Sequence, residues 1–175
     1  ETGWPLGWEL AAIVLFAPLM EEAIFRGWLP GTRAWLRFAL HIAVAVALLG
    51  VATILADVLP EGIVLVATLF ALGLMIFAAV RVRERRNTET DVPAWYEAGF
   101  RWFVWGSTLA FGAVHLGNFD GMSSPLDLLM ILSQTTGGLI LAYNRLHLGL
   151  GAAIAQHAIF NATFAGLALA INGTL

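Results

Sequence analysis

FAPLMEEAIFRGWLP, residues Phe16 to Pro30, places two adjacent glutamates and an arginine inside an apolar run. A charge at mid-helix costs roughly 2.5–3.5 kcal/mol on insertion scales, so such residues face a bundle interior or a watery cavity and do a job there. On a helix, Glu22 and Arg26 stand at i, i+4 and stack on one face. Glu21 points about 100° away from Glu22. The pair can neutralise itself, and Glu21 is left as an acid without a local partner. The bland reading of all three is a structural ion-pair knot or a position at an interface.

Composition sets the surroundings of this stretch. The chain has 175 residues, 59% of them hydrophobic and 12% charged, with a mean hydropathy of +0.81. A soluble domain carries about a quarter charged residues. The composition and the length of the apolar blocks predict an all-α, polytopic membrane bundle in one membrane domain, 1–175, embedded in a lipid bilayer. Cysteine is absent, which excludes disulfides and thiolate sites. The chain opens on Glu1 rather than Met, so further segments are expected upstream; it shows no signal-peptide pattern.

Six apolar spans can be drawn: Trp8 to Trp28, Arg37 to Val58, Gly62 to Val80, Phe100 to Gly117, Leu126 to Asn144 and Leu148 to Asn172. Each approaches the ~20 residues that cross ~30 Å of hydrocarbon as helix. All nine basic residues are arginines. Arg33 and Arg37, then Arg81, Arg83, Arg85, Arg86 and Arg101, then Arg145 fall in alternate connections. The opposite connections carry Asp57, Glu61, Asp120 and Asp127 and no arginine. The positive-inside rule therefore predicts a multi-pass integral membrane protein with its Arg-rich loops in the cytoplasm.

Two further spans carry groups that match Glu21. Phe111 and His115 share a face in the fourth, and His157 and Asn161 in the sixth. Taken singly, each histidine reads equally well as packing. Together, a carboxylate can take a proton from water, a histidine can orient that water, and an imidazole with a carboxamide can hold an oxyanion. This is a set for hydrolysing a peptide bond with activated water.

The three patterns EExxxR (Glu21 to Arg26), FxxxH (Phe111 to His115) and HxxxN (His157 to Asn161), in this order, resemble the motifs of the CPBP family, also called Abi. That family holds the CAAX prenyl endopeptidases and bacterial bacteriocin-processing or self-immunity proteins. The resemblance covers roughly Leu10 to Leu36 and Phe100 to Leu169, including GWLPGTRAWL after Arg26 and the Gly137–Gly138 pair. It implies an intramembrane endopeptidase acting on a membrane-associated peptide or protein, of which prenylated CAAX substrates are one class. By the same resemblance Glu21 is the base, His115 holds the water, and His157 and Asn161 form the oxyanion site. Glu22 and Arg26 brace the motif helix. The candidate catalytic set is Glu21, Glu22, His115, His157 and Asn161, with Arg26 and Phe111 supporting. No cofactor is expected, because CAAX-type members are thought to work without a catalytic metal; a divalent ion shared by Glu21, His115 and His157 is the alternative.

The long separation of Glu21 from His115 departs from the family's short connection. The excess, residues 37–80, reads as an inserted helical hairpin, and 81–99 as a cytoplasmic polar loop. Depth is a second tension: counted from the drawn span ends, His115 lies ~22 Å in, against ~12–15 Å for Glu21 and His157.

Other patterns are set aside. There is no HExxH. Asn161 fits a glycosylation sequon but lies in an apolar helix, and Asn172 heads a second sequon. Ser107, Ser123, Ser124 and Ser133 lack a nucleophile elbow. No nucleic-acid module is present. Arg81 to Arg86 read first as a topology signal, with anionic headgroups as a further contact. Trp95, Tyr96, Trp102 and Trp105 read as an interfacial belt, and His41 as packing or interfacial. Gly137, Gly138, Gly149, Gly151, Ala152 and Ala153 read as sites of close helix approach. The rivals to hydrolysis are a non-catalytic partner or self-immunity protein of the same fold, which would fill its polar groups by direct contacts, and a transporter, for which no internal repeat speaks.

Overall fold

The computed structural model describes residues 5–118, 129 and 131–172. Its helices are α1 (Leu6–Ala11), α2 (Ala17–Phe25), α3 (Arg33–Ile54), α4 (Glu61–Arg85), α5 (Ala94–Val114), α6 (Leu132–His147) and α7 (Leu150–Asn172). A π-helical turn, Ala12–Phe16, joins α1 to α2, and a 3-10 turn, His115–Asn118, follows α5. No strand occurs among the described residues. The all-α reading therefore holds.

Three helices among the described residues are long and apolar enough to cross a membrane: Arg33–Ile54, Glu61–Arg85 and Leu150–Ile171. Large apolar side chains such as Leu40, Phe70, Ile76, Phe160 and Phe164 stand exposed on them. In water such faces would drive aggregation; in lipid they are the solvated surface. The chain is an integral membrane protein. The fifth drawn span is described only from Leu132, apart from residues 129 and 131, and the loop with Asp120, Gly121, Ser123, Ser124, Pro125 and Asp127 lies outside the described residues.

Two compact units divide the chain: Glu1–Leu29 with Phe100–Leu175, and Pro30–Gly99. The second is the α3–α4 hairpin and the segment after it. Its core is a stripe of mostly small residues, Ala34, Phe38, Ile42, Ala45 and Ala52 on α3, with Ala71, Ala78 and Val82 on α4. The near-fourfold and sevenfold spacing puts each set on one helix face. Gly31 enters this unit at φ +71°, and a Cβ there would strike the Tyr96 ring. Only glycine meets both demands. Tyr96 is accordingly buried, whereas Trp95, Trp102 and Trp105 are exposed, so Tyr96 leaves the expected aromatic belt. Helix extends further into the polar stretch than drawn: Arg81 to Arg85 complete α4, and α5 begins at Ala94.

In the first unit the motif residues lie on α2 and the residue after it, on α5 and the 3-10 turn after it, and on α7. Phe111, Leu141 and Ala153 form a small apolar core, with Phe25 packed against it. Close approach depends on fewer small residues than expected. A Cβ on Gly138 would meet Arg26, Phe111 and Thr108 at 3.0–3.3 Å, but one on Gly137 or Gly151 would meet nothing. Gly149 serves the α6–α7 turn, at φ +99°.

Candidate active site

The site begins with a helix that is forced out of register. In the π turn the Ala17 N–H reaches Ala12 O, an i→i+5 bond. That N–H is the donor Ile13 O would use in an α-helix. The π-register donor would be residue 18, which is proline and has no N–H. Neither register serves Ile13 O, and the Asn161 side chain does instead, Nδ2 donating at 2.9 Å. Asn161 thus ties α7 to the motif helix. A carboxamide has two N–H donors, so the second stays uncommitted.

One turn later come the acids. Glu22 and Arg26 are fully buried and paired, Nη1 donating to Oε1 at 2.9 Å. His157 Nδ1 lies 3.0 Å from the same Oε1. A carboxylate only accepts, so His157 is the donor through Nδ1 and its Nε2 is turned outward. Glu22 therefore fixes the tautomer of His157, a more direct task than bracing its own helix. The Arg26 guanidinium lies 3.7 Å from the centroid of the Phe111 ring, a cation–π contact in a desolvated setting. The same ring meets His115 at 4.7 Å and His157 at 5.7 Å between centroids. Phe111 is the shared wall of the site.

Glu21 faces the other way, as the helical angles require. Its Oε2 is buried and has no hydrogen-bond partner. It lies 3.7 Å from His157 Nε2 and 3.9 Å from His115 Nε2. These gaps exceed a direct hydrogen bond. His115 Nδ1 sits 2.7 Å from Phe111 O, one of the last four carbonyls of α5, which lack helical donors. His115 therefore donates through Nδ1, and in the neutral ring Nε2 is an acceptor. His115, His157 and Asn161 line a cavity of about 310 Å³, walled also by Phe160, Phe164 and Gln156. Glu21 is not part of that wall and meets the cavity through the two imidazoles.

The structure thus brings Glu21, Glu22, Arg26, Phe111, His115, His157 and Asn161 into one cluster. The depth tension disappears because the drawn end of the fourth span was the wrong reference. Phe103 stacks on Trp28, and Ser107 Oγ donates to Phe25 O, so α5 has already run past its drawn start where α2 ends.

Three residues escaped the sequence reading. Pro18 was visible as a break in the i→i−4 ladder of an apolar run. Arg145 read only as a topology charge, yet it is buried. It donates from Nε to Arg26 O at 3.0 Å and from Nη2 to Gly27 O at 2.9 Å. A cation on the carbonyls just past a helix end is favourable, and it holds the carboxyl end of α2 in place. Ser107, set aside as a nucleophile, caps the same end. No local pattern announces Arg145 or Ser107, because their partners are remote in sequence.

Among the described residues no three histidines, aspartates or glutamates are placed to share a metal ion.

The helical bundle thus sets a carboxylate without a hydrogen-bond partner beside two oriented imidazoles. The family profile of the type II CAAX prenyl endopeptidase Rce1-like proteins matches residues 3–90 and 91–163. The chain belongs to that family, a family of CAAX-type proteases. Comparison with curated proteins and with solved structures finds no match.

Proposed function

We infer that this chain is an intramembrane endopeptidase that cleaves a peptide bond of a membrane-associated, CAAX-type substrate with a water activated by Glu21. The carrying observation is Glu21 Oε2, buried without a hydrogen-bond partner between two imidazole Nε2 atoms at 3.7 and 3.9 Å. A water at the apex of these gaps gives one O–H to Glu21 and the other to the His115 Nε2 acceptor. Its lone pair then faces the cavity. Glu21 takes the proton as the water oxygen adds to the scissile carbonyl carbon. The resulting oxyanion is held by the free Asn161 N–H and, when the ring carries both protons, by His157 Nε2–H. Collapse breaks the C–N bond, and the proton on Glu21 passes to the leaving amine. Apolar walls at Phe160 and Phe164 suit a substrate that arrives from the lipid. In this reading the chain crosses six times, its arginine connections are cytoplasmic, the α3–α4 hairpin is an insertion, and no catalytic metal takes part.

The test is turnover of a prenylated CAAX peptide by the purified chain in lipid nanodiscs. Glu21→Gln should lower kcat by roughly 10²–10⁴-fold with unchanged thermal unfolding, and a chelator should leave the wild-type rate intact. Wild-type-like turnover by Glu21→Gln would sink the mechanism.

A further inference from the structure

The hairpin unit carries a cleft of its own, unrelated to the hydrolytic residues. It has a volume of about 170 Å³ and lies between the start of α3 and the end of α4. Its rim is Arg37, Arg81 and Arg85 with Glu89, and His41 and Phe77 lie one turn further along the helices. Here the apolar run of α3 begins, at Phe38, and that of α4 ends, at Val80. In a bilayer this is the level of the lipid headgroups.

The rim charges do not cancel. Glu89 accepts from Arg37 at 2.8 Å and from Arg85 at 2.6 Å. Arg81 is joined to Glu84 at 3.2 Å. Three guanidinium groups thus share two carboxylates, and one positive charge is left over before His41 is counted. Each arginine has five N–H donors in a fixed fork, and one nitrogen of each is engaged by these acids. Guanidinium forks suit phosphate oxygens, singly or in pairs. Below the rim, the rings of His41 and Phe77 meet at 5.5 Å and offer an apolar step where an acyl chain would begin.

We propose that this cleft binds the phosphate of an anionic phospholipid, with the headgroup against Arg37, Arg81 and Arg85 and the glycerol end against Phe77. The hairpin is then a lipid-reading element of the protein. Free phosphate shares the headgroup's chemistry but would leave the apolar step unused.

The delipidated full chain, in neutral detergent, is titrated with phosphatidylglycerol and followed by native mass spectrometry. Phosphatidylcholine and inorganic phosphate are the comparison probes. Phosphatidylglycerol should bind in preference to phosphatidylcholine. Arg81→Gln should weaken it about fivefold, the value of one arginine at a charged surface, and Arg81→Lys should recover part of that loss. Arg81 is 40% exposed, with Glu84 as its ion-pair partner and the Phe77 ring 5.9 Å from its guanidinium, so its replacement leaves the fold intact. Arg83→Gln removes the same charge from the same helix end outside the cleft and should change nothing. Equal weakening by Arg83→Gln and Arg81→Gln would overturn the site, as would equal binding of the two lipids. Displacement of the lipid by an equal concentration of inorganic phosphate would overturn the lipid assignment.

Discussion

The two units use the same charged residue types in opposite ways. In the motif unit Glu22 and Arg26 are 0% exposed and share their carboxylate with a histidine. In the hairpin unit Arg33 and Asp91 are joined at 56% and 58% exposure. The first pair has left water, so each member depends on the other, and on Phe111 and His157, for its solvation. The second is screened and keeps its water whether or not it is paired. Burial is thus what turns a salt bridge from a surface ornament into a device that orients a neighbour.

Breaking the buried pair is the strongest challenge to this contrast. Arg26→Gln leaves the Glu22 charge buried against His157 alone. It should cost about 3–5 kcal/mol, the usual penalty for an uncompensated buried charge, read as chemical unfolding in micelles. A double variant, Glu22→Gln with Arg26→Leu, should regain much of that stability and still hydrolyse peptide slowly, because His157 has lost the carboxylate that sets its tautomer. If the double variant is fully active, Glu22 serves packing only.

A middle-sized effect is expected at the π turn. Asn161→Leu deprives Ile13 O of its donor in a helix that offers no other. Ile13 is exposed within the protein, but lipid offers its carbonyl no donor; leaving that bond unmade there costs about 1–3 kcal/mol, and the loss should appear as faster amide exchange around Ala12–Phe16. The catalytic reading adds a fall in kcat at unchanged KM. A drop in stability without one would confine Asn161 to the turn.

The smallest effect belongs to the exposed pair. The Arg33 guanidinium, hydrogen-bonded to Asp91, holds that carboxyl below the ordinary aspartate range. A carboxyl depressed in the folded state adds its stability above the unfolded value, about 3.9, and loses it as pH falls through the lower folded value. Acidification across that window should slightly loosen the α3–α4 unit, and Asp91→Asn should flatten the response with little change at neutral pH. A large effect at pH 7 would mean the exposed pair is more tightly coupled than its solvation suggests.

The legible part of the protein is the part written in local spacing. Composition and apolar run length specified helices in a membrane, since lipid leaves a backbone few other ways to satisfy its hydrogen bonds. The i, i+4 spacings put Glu22 with Arg26 and Phe111 with His115, and the 100° step left Glu21 alone, all from helix geometry. Tertiary structure decided which remote groups meet: His157 on Glu22, Asn161 on the carbonyl stranded by Pro18, Arg145 and Ser107 on the end of α2. It also decided that one Tyr96 face lies under Gly31 and that of six small residues only some permit close packing. These outcomes depend on helix crossing and register, where a shift of a single residue exchanges one partner for another, and no periodicity within a helix records which of its neighbours it will face.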